Sequence, residues 1–218
     1  MERNKIIQIE VGADDFPTNC YIIHDEDNNA VVIDPGYDSP KIISKIEDNN
    51  LKVKYVILTH CHADHLGQLE EIVKFTDADV IIHEDDLDGL EDDEKSYFTA
   101  LNVRKPKIKK DKINTVKNKD IINAGNISLE VIHTPGHTSG GMCLLEKETN
   151  SLFTGDTIFA TCYGRVDLKS GNFEDMKNSI GKLFDRFEDI IIYPGHEQIV
   201  NIDSCKRRIK LLVKVRSI

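Results

Sequence analysis

Histidine and aspartate fall in this chain where metal-ion chemistry would need them. Thr59-His60-Cys61-His62-Ala63-Asp64-His65-Leu66-Gly67 sets three imidazoles and a carboxylate within six residues. His60 and His62 are two apart, so extended backbone points both the same way. Asp64 and His65 come after a bend and can reach a second point nearby. Single candidates recur downstream: His137 in Thr134-Pro135-Gly136-His137-Thr138, Asp156 in Leu152-Phe153-Thr154-Gly155-Asp156-Thr157, and His196 in Tyr193-Pro194-Gly195-His196-Glu197. Imidazole nitrogen with carboxylate oxygen suits zinc, and iron or manganese less selectively. Seven such donors are enough for two divalent metal ions.

Elements that could aim these side chains precede each of them. Val53 to Leu58 is apolar and β-branched enough for a buried strand, and so are Ile127 to Ile132, Ser151 to Thr154 and Ile190 to Tyr193. Further strands are expected at Lys5–Glu10, Cys20–His24, Ala30–Asp34, Asp79–His83 and Met142–Glu146. Helices are expected at Ser39–Asn49, Leu66–Phe75 and Phe173–Phe187, with a terminal one from about Asp203. Two halves of strands followed by helices predict an α/β architecture: two sheets face to face, helices outside, ligands meeting at one edge. The charged stretch from Glu84 to Lys119 reads as an excursion with a short helix that could border a substrate site.

At 218 residues, 39% hydrophobic and 30% charged, the chain fits one globular domain spanning 1–218. No apolar stretch approaches a membrane span and the first residues carry no apolar leader, so a cytoplasmic protein is expected. The net charge of -10 argues against a nucleic-acid partner. Lys206-Arg207-Arg208-Ile209-Lys210, with Leu211, Leu212 and Val215, reads as an amphipathic helix on the core. Five scattered cysteines do not make a disulfide scaffold. Cys61 should point away from its neighbouring ligands and pack, whereas Cys162 is the better candidate for a reactive thiol. His24, His83 and His133 are expected to be structural or exposed, with His133 nearest to the ligands.

Taken as a set, these motifs resemble the metallo-β-lactamase superfamily over roughly residues 5 to 200, with Asn19-Cys20-Tyr21 and Val32-Ile33-Asp34-Pro35-Gly36 as further points of likeness. The resemblance implies the αβ/βα four-layer sandwich. It implies that His60, His62 and His137 bind one metal, that Asp64, His65 and His196 bind the second, and that Asp156 bridges them. Asp34 would hold the ligand loops by hydrogen bonds. Within the superfamily, Thr134 to Gly141, Thr154 to Phe159 and Gly164-Arg165-Val166-Asp167 look most like the glyoxalase II (hydroxyacylglutathione hydrolase) group, where Arg165 and Asp167 would brace the active-site loop. Only 22 residues follow His196, short of the helical domain that supplies cationic contacts to glutathione in larger members, so the thiol carrier is left open.

The expected activity is metal-dependent hydrolysis of a small-molecule thioester. Two metals about 3.5–4 Å apart would share a hydroxide, with Asp64 and Asp156 as the catalytic carboxylates orienting it. A thiol of pKa about 8.5 leaves without a general acid, and no separate acid–base pair stands out. The alternative is a persulfide dioxygenase-like oxidoreductase of the same superfamily, whose motif also reads Thr-His-Cys-His-Ala-Asp-His, with one iron on His60, His137 and Asp156. Oligomeric state is not legible.

Overall fold

The computed structural model describes residues 3–12 and 17–216. Twelve strands among them form two six-stranded sheets. The first contains β1 (Lys5–Val11), β2 (Thr18–His24), β3 (Asn29–Ile33), β4 (Lys52–Ile57), β5 (Asp79–His83) and β6 (Ile113–Val116), in that spatial order. The second contains β7 (Ile121–Ala124), β8 (Ile127–His133), β9 (Met142–Glu146), β10 (Ser151–Gly155), β11 (Ile191–Pro194) and β12 (Val200–Asn201), also in order. Each sheet begins with antiparallel hairpins and becomes parallel where a helix returns the chain: β3 to β6 run parallel in the first, β10 and β11 in the second.

Helices α1 (Ser39–Asp48), α2 (Ala63–Leu66), α3 (Leu69–Thr76) and α4 (Asp93–Ser96) belong to the first half, and α5 (Phe173–Arg186) and α6 (Ile202–Arg216) to the second. Three apolar cores result, which makes the expected four layers. Tyr21, Ile23, Val31, Ile57, Leu144 and Phe153 fill the space between the sheets. Ile22, Val32 and Val56, on the other face of the same strands, pack with Ile42, Leu69 and Ile72 of the helices. Leu152 and Ile192 pack with Met176, Ile180, Leu183, Cys205 and Ile209. Both faces of the central strands are covered, so their sequences read as continuous apolar runs rather than alternating ones.

Several expectations need correction. The helix predicted over Leu66–Phe75 is two helices, broken at Gly67 and Gln68. A Cβ on Gly67 would lie 3.0 Å from the Gly36 carbonyl oxygen, so this residue marks a close crossing of two loops. The charged stretch after Glu84 is not an excursion throughout, because Ile113–Val116 joins the first sheet as its edge. On α6, Ile202, Cys205 and Ile209 face the core, but Leu211 and Leu212 are exposed; the side chain of Val215 lies outside the described residues. Among the described residues, no helix is long and apolar enough to cross a membrane.

Candidate metal centre

β4, β8, β10 and β11 each end at the same edge of the sandwich, and each hands the chain to a ligand-bearing turn. After β4 the chain bends at Thr59 and His60, and the extended residue His62 leads into the single turn α2, which begins at Ala63. His60, His62 and His137 thereby bring ring nitrogens within 4.8 Å of one another, and so do donor atoms of Asp64, His65 and His196. Asp156 lies between the two groups. Its Oδ1 is 3.3 Å from His65 Nε2, and its Oδ2 is 3.3 Å from His137 Nε2 and 3.5 Å from His196 Nε2. All seven candidate residues therefore converge at one edge, with Asp156 between the two clusters.

Two glycines make the convergence possible. Gly155 has φ +46° and a Cβ there would sit 2.4 Å from Thr59 Oγ1. A Cβ on Gly195 would sit 2.4 Å from Asp156 Oδ1 and 2.7 Å from His65 Cε1. Only a residue without a side chain lets the β10 and β11 turns close on the His60 loop.

Each of four histidines is oriented from behind. His65 Nδ1 faces Asp34 Oδ2 at 2.9 Å. The Thr59 hydroxyl donates to Asp34 at 2.7 Å and so offers its oxygen to His60 Nδ1 at 3.1 Å. His137 Nδ1 meets the Arg165 carbonyl at 2.7 Å and His196 Nδ1 the Pro17 carbonyl at 2.8 Å. A carbonyl can only accept, so Nδ1 carries a proton on His137 and His196, and Nε2 is the nitrogen that faces the site. Asp34 also comes close enough to His60 and His65 to count as a ligand. Its oxygens are already taken by the Thr59 N–H, the Thr59 hydroxyl and His65, which makes it an orienting group, as expected.

The electrostatics fit a cation. His60 Nε2, His62 Nε2 and Asp156 Oδ1 are buried without a well-directed hydrogen bond, and orphaned buried polar atoms of this kind are rare. Burial pushes the His60 imidazole well below its ordinary pKa and His62 down to about 3, so both keep free lone pairs. Burial also opposes charge on His65 and His196. There it is outweighed by Asp156 and Asp64, which hold both histidines above the usual value. Asp156 is correspondingly held far below the carboxylate range by His196, His65 and His137, against the effect of burial. Protons on these histidines supply the positive charge that a divalent ion would bring. The imidazole–carboxylate donor set and the unpaired inward atoms together fit divalent metals.

Residues behind the candidate ligands also shape the site. Asp86 is buried and ties the two ligand loops together: it accepts from the Cys61 N–H at 3.1 Å, the Thr138 hydroxyl at 2.7 Å and the Gly140 N–H at 2.6 Å. Asn19 Nδ2 and the Tyr21 hydroxyl hold the Pro194 carbonyl, beside the His196 turn. Tyr97 packs its ring against His62, with centroids 5.7 Å apart. Arg165 does form a two-pronged pair with Asp167 at 2.8 Å, but both side chains are exposed; the link from this loop to His137 runs through the Arg165 backbone. Cys61 packs beneath Gly89, as expected. The Cys162 thiol is pushed up to about 11 by burial and by Glu197, which is wrong for a reactive thiolate. His133 reaches the Ser139 carbonyl at 2.9 Å rather than a ligand.

Because Asp34 steadies a histidine in each group, Asp34→Ala is expected to weaken metal binding by about 10- to 100-fold without changing the number of ions at saturation. Competition against a chelator of known affinity measures this, and unchanged affinity would remove Asp34 from the orienting role.

The sequence profile of the Metallo-beta-lactamase superfamily matches residues 13–196. Hydroxyacylglutathione hydrolase GloC of Haemophilus influenzae is 30% identical over 200 residues, covering 88% of this chain and 91% of that protein. Among solved structures, the B3 metallo-beta-lactamase BLEG-1 superposes with a TM-score of 0.84 at 28% identity, covering 92% of this chain and 95% of that one. TTHA1623, solved in a di-iron-bound form, has a TM-score of 0.83 at 24% identity, with 94% and 99% covered; at that identity the likeness speaks for the fold.

Proposed function

Since the chain belongs to the metallo-beta-lactamase superfamily, we propose that it is a metal-dependent hydrolase that cleaves thioesters with two divalent cations, zinc being the ion its donors suit best. The observation that carries this is the pair of ligand groups sharing Asp156. His60, His62 and His137 would hold one ion, Asp64, His65 and His196 the other, and Asp156 both. Bound there, the cations would supply a water activated at neutral pH and positive charge for the oxygen of the scissile carbonyl. Asp64 and Asp156 would accept from that water and fix its approach. Hydroxyacylglutathione hydrolase is the name of the relative from Haemophilus influenzae, and thioester hydrolysis is consistent with it.

The cavity at this edge supports a thioester. It measures about 930 Å³, within the range of small-molecule sites. Tyr37 lines the cavity, and burial with Asp64 raises that phenol to about 12, too weak to protonate an amine leaving group efficiently at neutral pH. A thiolate needs no such help. Tyr37, Tyr97, Ala100, Leu101, Phe159 and Leu168 make the apolar and aromatic part of the wall, and Arg165 is the one Lys or Arg among the described lining residues. An uncharged acyl or aryl arm matches that wall better than a carboxylate-rich carrier.

Purified protein is expected to contain two equivalents of divalent metal and to hydrolyse acyl thioesters, with aryl and medium-chain acyl groups giving a lower KM than their short polar counterparts. Chelation should abolish turnover and added zinc restore it. Elemental analysis with a thiol-release assay tests both. A single iron accompanied by oxygen consumption would instead favour the persulfide dioxygenase alternative.

A further inference from the structure

Two aromatic rings meet the candidate centre edge to face, one beside each ligand group. Tyr97 packs against His62 with centroids 5.7 Å apart, and Phe159 packs against His196 at the same distance. Both line the cavity. Phe159 comes from the second half of the chain, shortly after Asp156, whereas Tyr97 comes from the first-half segment that follows β5 and contains α4. A thioester leaves its carbonyl carbon in two directions, and the two rings stand beside different ligand groups. We propose that Tyr97 is a specificity-determining residue: its ring bounds the substrate arm that runs past His62 and so sets how bulky that arm can be. The choice of substrates rests on the thioester reading, whereas the ring's place in the cavity does not.

The backbone at Tyr97 favours a different residue. Tyr97 is the C-cap of α4, with φ 64° and ψ 29°, in the left-handed region. Glycine is the residue that takes up this conformation freely at a helix end. An aromatic residue held there is strained, and such strain persists where the surroundings fix the side chain. They do so here. The Lys169 N–H donates to the Tyr97 hydroxyl at 2.8 Å, and the Lys169 ammonium pairs with Glu94 at 2.6 Å. The ring is thus held by His62 on one side and, through its hydroxyl, by the loop after β10. That loop also contributes Gly164, Arg165 and Leu168 to the cavity wall. Ala100 and Leu101, on the same segment as Tyr97, line the cavity too but are exposed, Leu101 at 47%. They form the rim, while Tyr97 reaches the histidine. A ring fixed at both ends cannot swing aside for a larger arm without losing a hydrogen bond, which makes it a firm boundary.

Two series of thioesters test this on the zinc-loaded full chain. One varies the acyl arm, phenylacetyl against naphthylacetyl on one thiol. The other varies the thiol arm, benzyl against naphthylmethyl mercaptan on one acyl group. Tyr97→Gly suits the left-handed backbone, so it removes the ring without adding strain. It is expected to raise the bulky-to-small ratio of kcat/KM by at least about tenfold in one series, the scale on which pocket contacts discriminate apolar groups. Tyr97→Trp should lower the same ratio, and Tyr97→Phe, which keeps the ring, should leave it within about twofold of the parent. General loosening of the site would slow bulky and small substrates alike and leave the ratios where they are. Calorimetric titration of the zinc-loaded proteins with the two arylacetates and the two mercaptans reads the same ratios as binding constants, with no turnover required. Unchanged ratios in both series for Tyr97→Gly would overturn the proposal. So would a shift in Tyr97→Phe equal to that in Tyr97→Gly, which would assign the effect to the hydroxyl. A parent that cleaves no thioester but shows the Tyr97→Gly shift in arylacetate or mercaptan binding sinks the thioester reading and leaves the ring's role standing. Thioester cleavage with unmoved ratios does the reverse.

Discussion

Asp156→Ala is expected to reduce kcat/KM for thioesters by about four orders of magnitude, because the attacking water loses much of the activation that a pair of bound cations would supply. Among the described residues, Asp156 is the one carboxylate within 3.5 Å of histidines from both groups. Asp64 approaches only His65 and His196. Without Asp156, one negative charge would remain among the ligands to balance two divalent ions. The metal content should therefore fall below two equivalents along with the activity. The fold should survive, since His65 and His196 can release the protons that Asp156 helps to hold. Asp156→Asn is the companion variant. It keeps the shape of the side chain, and so avoids strain against Gly195, but removes the charge. Elemental analysis and a thiol-release assay on both variants decide the matter. Two metals per chain with turnover within tenfold of the parent would sink the two-ion reading.

All seven residues that converge at the candidate centre were legible because their side chains are chemically loud and follow strand ends. His60 and His62 repeat at the spacing of extended chain, and His137 and His196 each follow Pro-Gly. What holds them was far less legible. His137 and His196 are oriented by the backbone carbonyls of Arg165 and Pro17, and any residue type supplies a carbonyl. Arg165 drew attention for its guanidinium, whereas its contribution to the site is its peptide oxygen. The layer order was readable because the central strands are apolar on both faces. The edge strands β6, β7 and β12 were not: they are two to four residues long, and β6 and β7 carry polar or exposed residues at half or more of their positions. α6 misled for the opposite reason. Its basic residues suggested one polar face, but Leu211 and Leu212 share that solvent side.

Asp86 shows what this silent scaffolding is worth. It lies in an acidic turn, Glu84-Asp85-Asp86, that reads as solvated surface, yet its side chain is buried between the His60 and His137 loops. Replacing it with alanine would leave the Cys61 N–H, the Gly140 N–H and the Thr138 hydroxyl without their acceptor. Each buried donor left unsatisfied costs about 1–3 kcal/mol, so Asp86→Ala is expected to lose about 3–9 kcal/mol, where the whole fold holds about 5–15 kcal/mol. Water entering the gap would recover part of this, so the lower end is the firmer expectation. The same change frees the two loops that must hold His60, His62 and His137 together, and metal affinity at that group should fall with stability. Asp86→Asn should lose less, because its carbonyl can still accept from one side while its amide faces a donor on the other. Urea unfolding of the metal-free proteins separates the structural loss from the metal effect, and chelator competition then measures the second. If metal-free Asp86→Ala unfolds at the parent's urea midpoint with an unchanged slope, Asp86 does not join these loops in solution.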